Sequence, residues 1–308
     1  MESPWGHLPI SDAHVHFFSH RFFTSLAEQR QIPTDALESL LNWRIPPEEP
    51  NHLAGEWIAE LDRYRVQRAA IIASIPDDYD SVLTAVAAFP QRFYGYAMVN
   101  PVQESAPRNV QSALQTGHLH GLCFFPAMHR YSMHDARVSP LLDLAAAHNA
   151  AVFVHCGVLS VGVRKKLGLP SHFDMRYSNP IDLHAIALRY PQLSFVVPHF
   201  GAGYFREALM LCDLCPNVYL DTSSSNSWIA YEHLDLRAVF RRVLDVLGPN
   251  RLLFGTDSSF FPRGWNAPIF EAQAKALYEI GVDEPAARLI FHDNLHQFFL
   301  RKNSPPND

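Results

Sequence analysis

Apolar residues in this chain gather in short, near-continuous runs instead of one long block. Eight runs rich in β-branched and aromatic residues fall at 8–14 (LPISDAH), 68–74 (RAAIIAS), 93–99 (FYGYAMV), 121–126 (GLCFFP), 151–156 (AVFVHC), 193–199 (LSFVVPH), 218–223 (VYLDTS) and 251–257 (RLLFGTD). Between them lie stretches with helical apolar spacing, such as SVLTAVAAF, IDLHAIALRY, LRAVFRRVLDVL and IFEAQAKALYEIG. Strands apolar on both faces are those that helices cover on both sides, which indicates a parallel sheet. Eight such strands in 308 residues predict an α/β protein built as a (β/α)8 TIM barrel, one domain over 1–308, ahead of an open doubly wound sheet. No G-x-G-x-x-G follows the first strand, which weakens a dinucleotide-binding alternative.

Two segments break the alternation. Residues 19–52, with RIPPEEPNH near their end, read as an insertion after strand one that covers the barrel mouth. A long loop, SVGVRKKLGLPSHFDMRYSNP, follows strand five, and loops of that length inside a compact domain are usually functional. The tail, 302–308, is expected to be disordered.

Composition narrows the function classes. With 48% hydrophobic and 18% charged residues the chain can bury a large core. A net charge of −6 argues against a general nucleic-acid binder, and no apolar run reaches the roughly 18 residues of a membrane span. The start, MESPWGHLPI, has neither a basic region nor a long apolar one, so no secretory signal is read there and a cytoplasmic location is expected. Cys212 and Cys215 have C-x-x-C spacing without a second pair, and they lie at the end of a helical pattern, so neither a zinc knuckle nor a redox pair is expected. A small-molecule substrate is the expected partner, with a homodimer as the assembly considered and no nucleic acid or membrane.

The polar residues then acquire a pattern. Barrel enzymes carry their sites at the carboxyl ends of the strands. Here strand one ends with His14 and His16, strand five with His155, strand six with His199 and strand eight with Asp257. By alternation His14 and His16 share one side of their strand, while Ala13, Val15 and Phe17 share the other. The chain has 17 histidines, so one H-x-H triplet carries little information. His118-Leu119-His120 is another, yet it precedes strand four on the opposite, stabilising face and is read as structural. His129 and His134 lie past strand four on the site face and are read as loop-surface residues, with substrate contact as the alternative.

Imidazoles and a carboxylate on one mouth suit one divalent ion, with zinc expected and manganese, iron or cobalt compatible. Such an ion lowers the pKa of bound water toward about 7, making a nucleophile available at neutral pH. Asp257 would then relay the water's proton, and His199 would orient the water or polarise a developing oxyanion.

The ordered motifs DAHVHF, VHCG, PHFGAG, CPNVYLDTSS, LLFGTD and IFHDNLHQFF resemble the amidohydrolase superfamily, from residue 11 to about 300. They resemble in particular the branch that includes aminocarboxymuconate-semialdehyde decarboxylase. The resemblance implies a TIM-barrel enzyme in which His14, His16, His155 and Asp257 hold one metal and His199 is catalytic. Binuclear members carry a bridging carboxylated lysine or glutamate on strand four, where this chain has Cys123, so a single metal is expected. Decarboxylases of that branch grip acidic substrates. Arg164, Lys165, Lys166, Arg176 and Arg263 are the candidate cations, Trp228 and Trp265 the candidate pocket walls, and SSSNSW (223–228) a source of small polar contacts.

Three functions are compatible with these residues. The first is metal-dependent hydrolysis of a C–N or C–O bond, in an amide or a lactone, by a metal-bound water. The second is non-oxidative decarboxylation, a carbon–carbon lyase reaction, of a small ring-derived acid. The third is ligand binding without turnover, which the presence of all five site residues disfavours.

Overall fold

In the computed structural model, residues 2–159, 161–223, 227–231 and 233–300 are described. Their strands are β1 Ile10–Phe17, β2 Val66–Ala73, β3 Phe93–Val99, β4 Gly121–Phe124, β5 Ala151–Val154, β6 Phe195–Val197, β7 Val218–Asp221 and β8 Leu252–Leu253. They form one eight-stranded sheet in sequence order, each pairing parallel with the next. The residues after β8 then reach back to β1: Ala13 N donates to Phe254 O (2.7 Å), Asp257 N to His14 O (3.0 Å) and His16 N to Ser258 O (2.7 Å). The sheet is thus a nearly closed (β/α)8 barrel, as the apolar spacing predicts. Its seam is stitched by the two segments that carry the candidate ligands.

A helix follows each strand on the outside, from Pro50–Arg63 after β1 to Ala267–Glu279 after β8. The outward side chains, including Val15, Phe17, Ile71, Phe124 and Leu220, pack under these helices. The inward ones, Ala70, Tyr96, Cys123, Phe153, Val196, Tyr219 and Leu253, fill the barrel. Each large apolar side chain so buried contributes about 1.5–3 kcal/mol relative to exposure. The final helix, Asn294–Leu300, plugs the bottom, with Phe299 stacked on Tyr94 at 4.0 Å and Phe298 edge-on to Tyr219 at 4.9 Å. Asn294 fixes that plug by donating to Pro249 O and Leu252 O.

Strict alternation fails at one place. Ala13 lies with the inward residues although it neighbours His14, because the register of β1 against β2 shifts between Asp12 and Val15. The irregularity lets both Ala13 and His14 face inward, the former into the core and the latter into the mouth.

The 19–52 segment is helical. It holds α1 His20–Arg30 and α2 Ala36–Leu41, and α3 Pro50–Arg63 begins within it but belongs to the barrel wall beside β2. Ser19 caps α1 by accepting from Phe22 N while its hydroxyl donates to Asp78 Oδ2. Phe22, Phe23, Leu26, Leu37, Leu41 and Trp43 share a separate apolar cluster with Val163 and Leu167 of the loop after β5. The two excursions are therefore one cap over the mouth. His118 and His120 lie at the other end, where the His120 ring accepts from Gly95 N and meets the Phe299 ring edge-on. Among the described residues, no helix is long and apolar enough to cross a membrane. The 302–308 tail lies outside the described residues.

Candidate metal centre and the cavity around it

Hydrogen-bond chemistry fixes the tautomers of three imidazoles. His14 Nδ1 lies 2.6 Å from Asp221 Oδ2, and a carboxylate can only accept, so Nδ1 carries the proton. Ser74 Oγ donates to Ile72 O (3.1 Å) and hence accepts from His16 Nδ1 at 2.9 Å. His199 Nδ1 donates to the Ser223 carbonyl at 2.9 Å. Each neutral ring is left with a bare Nε2. The nitrogens His14 Nε2 and His16 Nε2 are 3.4 Å apart, and Asp257 Oδ1 stands 3.8 and 3.3 Å from them. His14, His16 and Asp257 thus offer three ligand atoms that lie within 4.8 Å of one another. Lone pairs gathered so closely repel unless a cation lies among them, and two imidazole nitrogens with a carboxylate oxygen are ordinary divalent-metal donors.

The electrostatics support the donor role. Burial would raise the Asp257 carboxyl, but the neighbouring His16 and His14 rings outweigh it and hold it below its ordinary range. Burial would lower His14, and the Asp221 carboxylate reverses this. The same negative charge makes that ring a more basic ligand. His199 and His155 are both lowered, chiefly by burial, so both are neutral rings.

The backbone pays a local cost here. His199, Phe200 and Asp257 have φ of 57°, 52° and 56°, the left-handed region, at about 1–3 kcal/mol each. The surroundings enforce this geometry. A Cβ on Gly157 would run into the carbonyls of Gly201 and Ala202, so the glycine of VHCG lets its loop touch the PHFGAG loop.

His155 is the exception among the expected ligands. It borders the same cavity, 5.1 Å from the His199 ring centroid and stacked on Phe125, but lies outside the group of three. Cys123 is buried in the barrel interior, and burial together with Asp221 pushes its thiol well above the ordinary range, so it is no thiolate ligand.

The sequence reading missed the residues that orient this group. Asp221, which ends β7, reaches His14, and Ser223 just beyond it reaches His14 and His199. Asp12, fully buried, accepts from His14 N and Thr256 N, and also from Thr256 Oγ1 and the Trp265 indole. It pins the β1 triplet to the β8 loop. Asp221 was visible as a charge at the end of an apolar strand. Its partner was not.

A cavity of about 390 Å³ opens above the group. Phe18, Phe22, Trp43, Phe125, Trp228 and Phe260 give it aromatic walls, and Lys166 and Arg263 border it. Trp43 of the cap stacks on Phe260 of the β8 loop at 3.8 Å. Lys166 Nζ sits 5.2 Å from the centroid of the Trp43 ring and Arg263 Cζ 4.6 Å from that of Phe260.

Of the expected substrate residues, Lys166, Trp228 and Arg263 therefore reach the cavity, and Arg164, Lys165, Arg176 and Trp265 do not. Trp265 is buried behind the site against Asp12. Arg176 points outward and pairs with Asp174 at 2.6 Å. Arg164 donates to Gln29 Oε1 and Pro170 O beside the cap. In SSSNSW, Ser224, Ser225 and Asn226 lie outside the described residues.

Comparisons with known proteins agree with the barrel fold. The crystal structure of 5-carboxyvanillate decarboxylase from Sphingomonas paucimobilis superposes with a TM-score of 0.65 over 95% of this chain and 99% of that one, at 16% identity. A probable 2-pyrone-4,6-dicarboxylic acid hydrolase from Acinetobacter baumannii, with citric acid bound, gives 0.59 over 95% and 99%, at 15% identity. The 5-carboxyvanillate decarboxylase of Novosphingobium aromaticivorans, with bound manganese and a methoxy-hydroxy-nitrobenzoic acid, gives 0.61 over 97% and 99%, at 15% identity. At such identities the likeness establishes the fold. The protein fluG of Emericella nidulans is 28% identical over 140 residues, 42% of this chain and 16% of its own length. The chain thus spans about a sixth of that relative. The amidohydrolase family model matches residues 11–299, nearly the whole chain, and the protein belongs to the amidohydrolase family.

Proposed function

We propose that this protein is a metal-dependent hydrolase of a small molecule, cleaving a C–N or C–O bond of an amide or lactone. One observation carries this reading: the bare Nε2 atoms of His14 and His16 and the Asp257 carboxylate converge on one point. These three would hold one divalent ion, zinc or manganese, and His155, whose ring has no hydrogen-bond partner among the described residues, would complete the set. When bound, such an ion supplies Lewis acidity and lowers the pKa of water.

The chain's own residues would supply the rest. Asp257, kept ionised, accepts a proton and returns it to the leaving group. His199, with its proton on Nδ1, presents a bare Nε2 that accepts a hydrogen bond, so it orients a water. It cannot donate to an oxyanion until it is protonated, which supports the water-orienting role of the two expected of it. Aromatic side chains of the cap, Phe22 and Trp43, line the cavity above.

Decarboxylation is the second reading. Aromatic walls with Lys166 and Arg263 beside them suit a planar acid, and the similar decarboxylase structures support it. The two reactions separate on a panel of lactones, amides and aromatic acids given to metal-loaded protein. Base uptake with a ring-opened or split product is the expected result. Carbon dioxide release without a hydrolytic product would reverse the order.

A further inference from the structure

Unlike His14 and His16, which β1 carries, Asp257 stands on a loop, since β8 ends at Leu253. Its φ of 56° lies in the left-handed region, and a residue so strained relaxes unless its surroundings over-determine it. Because peptide units are planar, the two that meet at a Cα set the direction of its side chain. The unit before Asp257 is held by β1, through Asp257 N donating to His14 O at 3.0 Å. The unit after it is held by a side chain from six residues on. Arg263 Nη2 donates to Asp257 O and to Ser259 Oγ, both at 2.9 Å.

This arm has a firm footing. Residues 260–264 turn back on themselves, with Gly264 N donating to Phe260 O at 3.0 Å. Just beyond Arg263, Trp265 N donates to Glu60 Oε1 of α3 at 3.0 Å, and the Trp265 indole to buried Asp12 at 2.7 Å. The Phe260 ring lies under the guanidinium, 4.6 Å from Cζ, a cation–π contact that narrows its range of positions. Arg263 forms no ion pair among the described residues. Its hydrogen bonds go to neutral oxygens of the loop that carries a ligand.

We propose that Arg263 is a positioning residue for Asp257: it fixes the peptide unit after Asp257 and so aims the carboxylate at the His14 and His16 nitrogens. The proposal rests on the metal reading of that group. Two effects of opposite sign meet in this one side chain. A guanidinium bordering the cavity repels a divalent ion and by itself weakens metal binding. That repulsion is screened by water and salt, because the side chain is exposed. Partners that orient a metal's ligands are commonly worth about 10–100-fold in affinity. Orientation is thus the larger effect. Lys166 provides the comparison, since it borders the same cavity but makes its contact with the Trp43 ring instead of the 257–259 loop.

Zinc affinity of the purified full chain, read by competition with a chromophoric chelator, tests this. Arg263→Met should weaken zinc about ten-fold, the low end for loss of an orienting partner. Arg263→Lys keeps a charge and a donor and should return near the wild-type value. Lys166→Met should leave the affinity unchanged or tighten it. Charge repulsion alone predicts the reverse, tighter binding in Arg263→Met. Unchanged or tighter binding in Arg263→Met, or an equal loss in Lys166→Met, overturns the proposal. Cobalt in place of zinc gives a readout of ligand geometry: its visible absorption bands should change in Arg263→Met and match wild type in Arg263→Lys. Bands identical in all three proteins also overturn it. Should Arg263→Met fail to fold, Arg263→Gln is read in its place by the same criteria. Wild-type protein with no zinc affinity removes the metal centre and this proposal with it, whereas wild-type affinity with an unaffected Arg263→Met removes the proposal alone.

Discussion

Asparagine in place of Asp257 is expected to lower kcat about a thousand-fold, within the range for loss of a general acid–base group, while the folded protein survives. The substitution keeps the shape and removes the charge. It also suits the backbone, since Asp257 sits at φ 56° and asparagine tolerates the left-handed region better than most residues. The Asp257 N–H to His14 O bond, which helps close the barrel, involves the main chain and is retained. Steady-state kinetics together with a thermal melt check this. A variant that melts far below wild type would show that the carboxylate holds the barrel seam and would remove the kinetic loss as evidence for proton transfer.

The second large effect comes from a residue with no chemistry of its own. A Cβ at Gly255 would meet Asp221 Oδ1 at 2.7 Å, His14 Cβ at 2.9 Å and Ser223 Cβ at 2.9 Å. All three neighbours belong to the ligand group or to its immediate support, and none is the far end of a flexible chain. Gly255→Ala should therefore destabilise by about 1–3 kcal/mol, the usual cost of overpacking. It should also reduce kcat by about a hundred-fold, because a displacement near 1 Å in an active site can cost that much. Denaturant unfolding and kinetics measure the two losses separately. Wild-type activity in Gly255→Ala would mean that the contact between β7, β8 and β1 does not set the position of His14.

Why the barrel was legible and parts of the site were not follows from particular residues. The eight apolar runs each bury both faces, which periodicity reports directly, and the ends of those runs deliver His14, His16, His199 and Asp257. Position separated the functional H-x-H from His118 and His120, which the structure puts at the plugged end. What alternation could not show was the register shift after Asp12, since it depends on pairing with β2. The roles of Asp12 and Asp221 depend on partners 244 and 207 residues away in the chain. Trp265 was expected in the cavity because it lies in the loop after β8. Its indole instead satisfies Asp12 in the interior, a preference set by the buried carboxylate. Arg176 has an aspartate two residues back, and that local pair keeps it on the surface.

The sharpest measurement is metal content, taken on purified protein reconstituted with zinc or manganese and then desalted. About one equivalent per chain is expected, lost in His14→Ala and His16→Ala and retained in His118→Ala, whose side chain lies on the opposite face. A content near two per chain, no retained metal in the wild type, or loss of the metal in His118→Ala would contradict it.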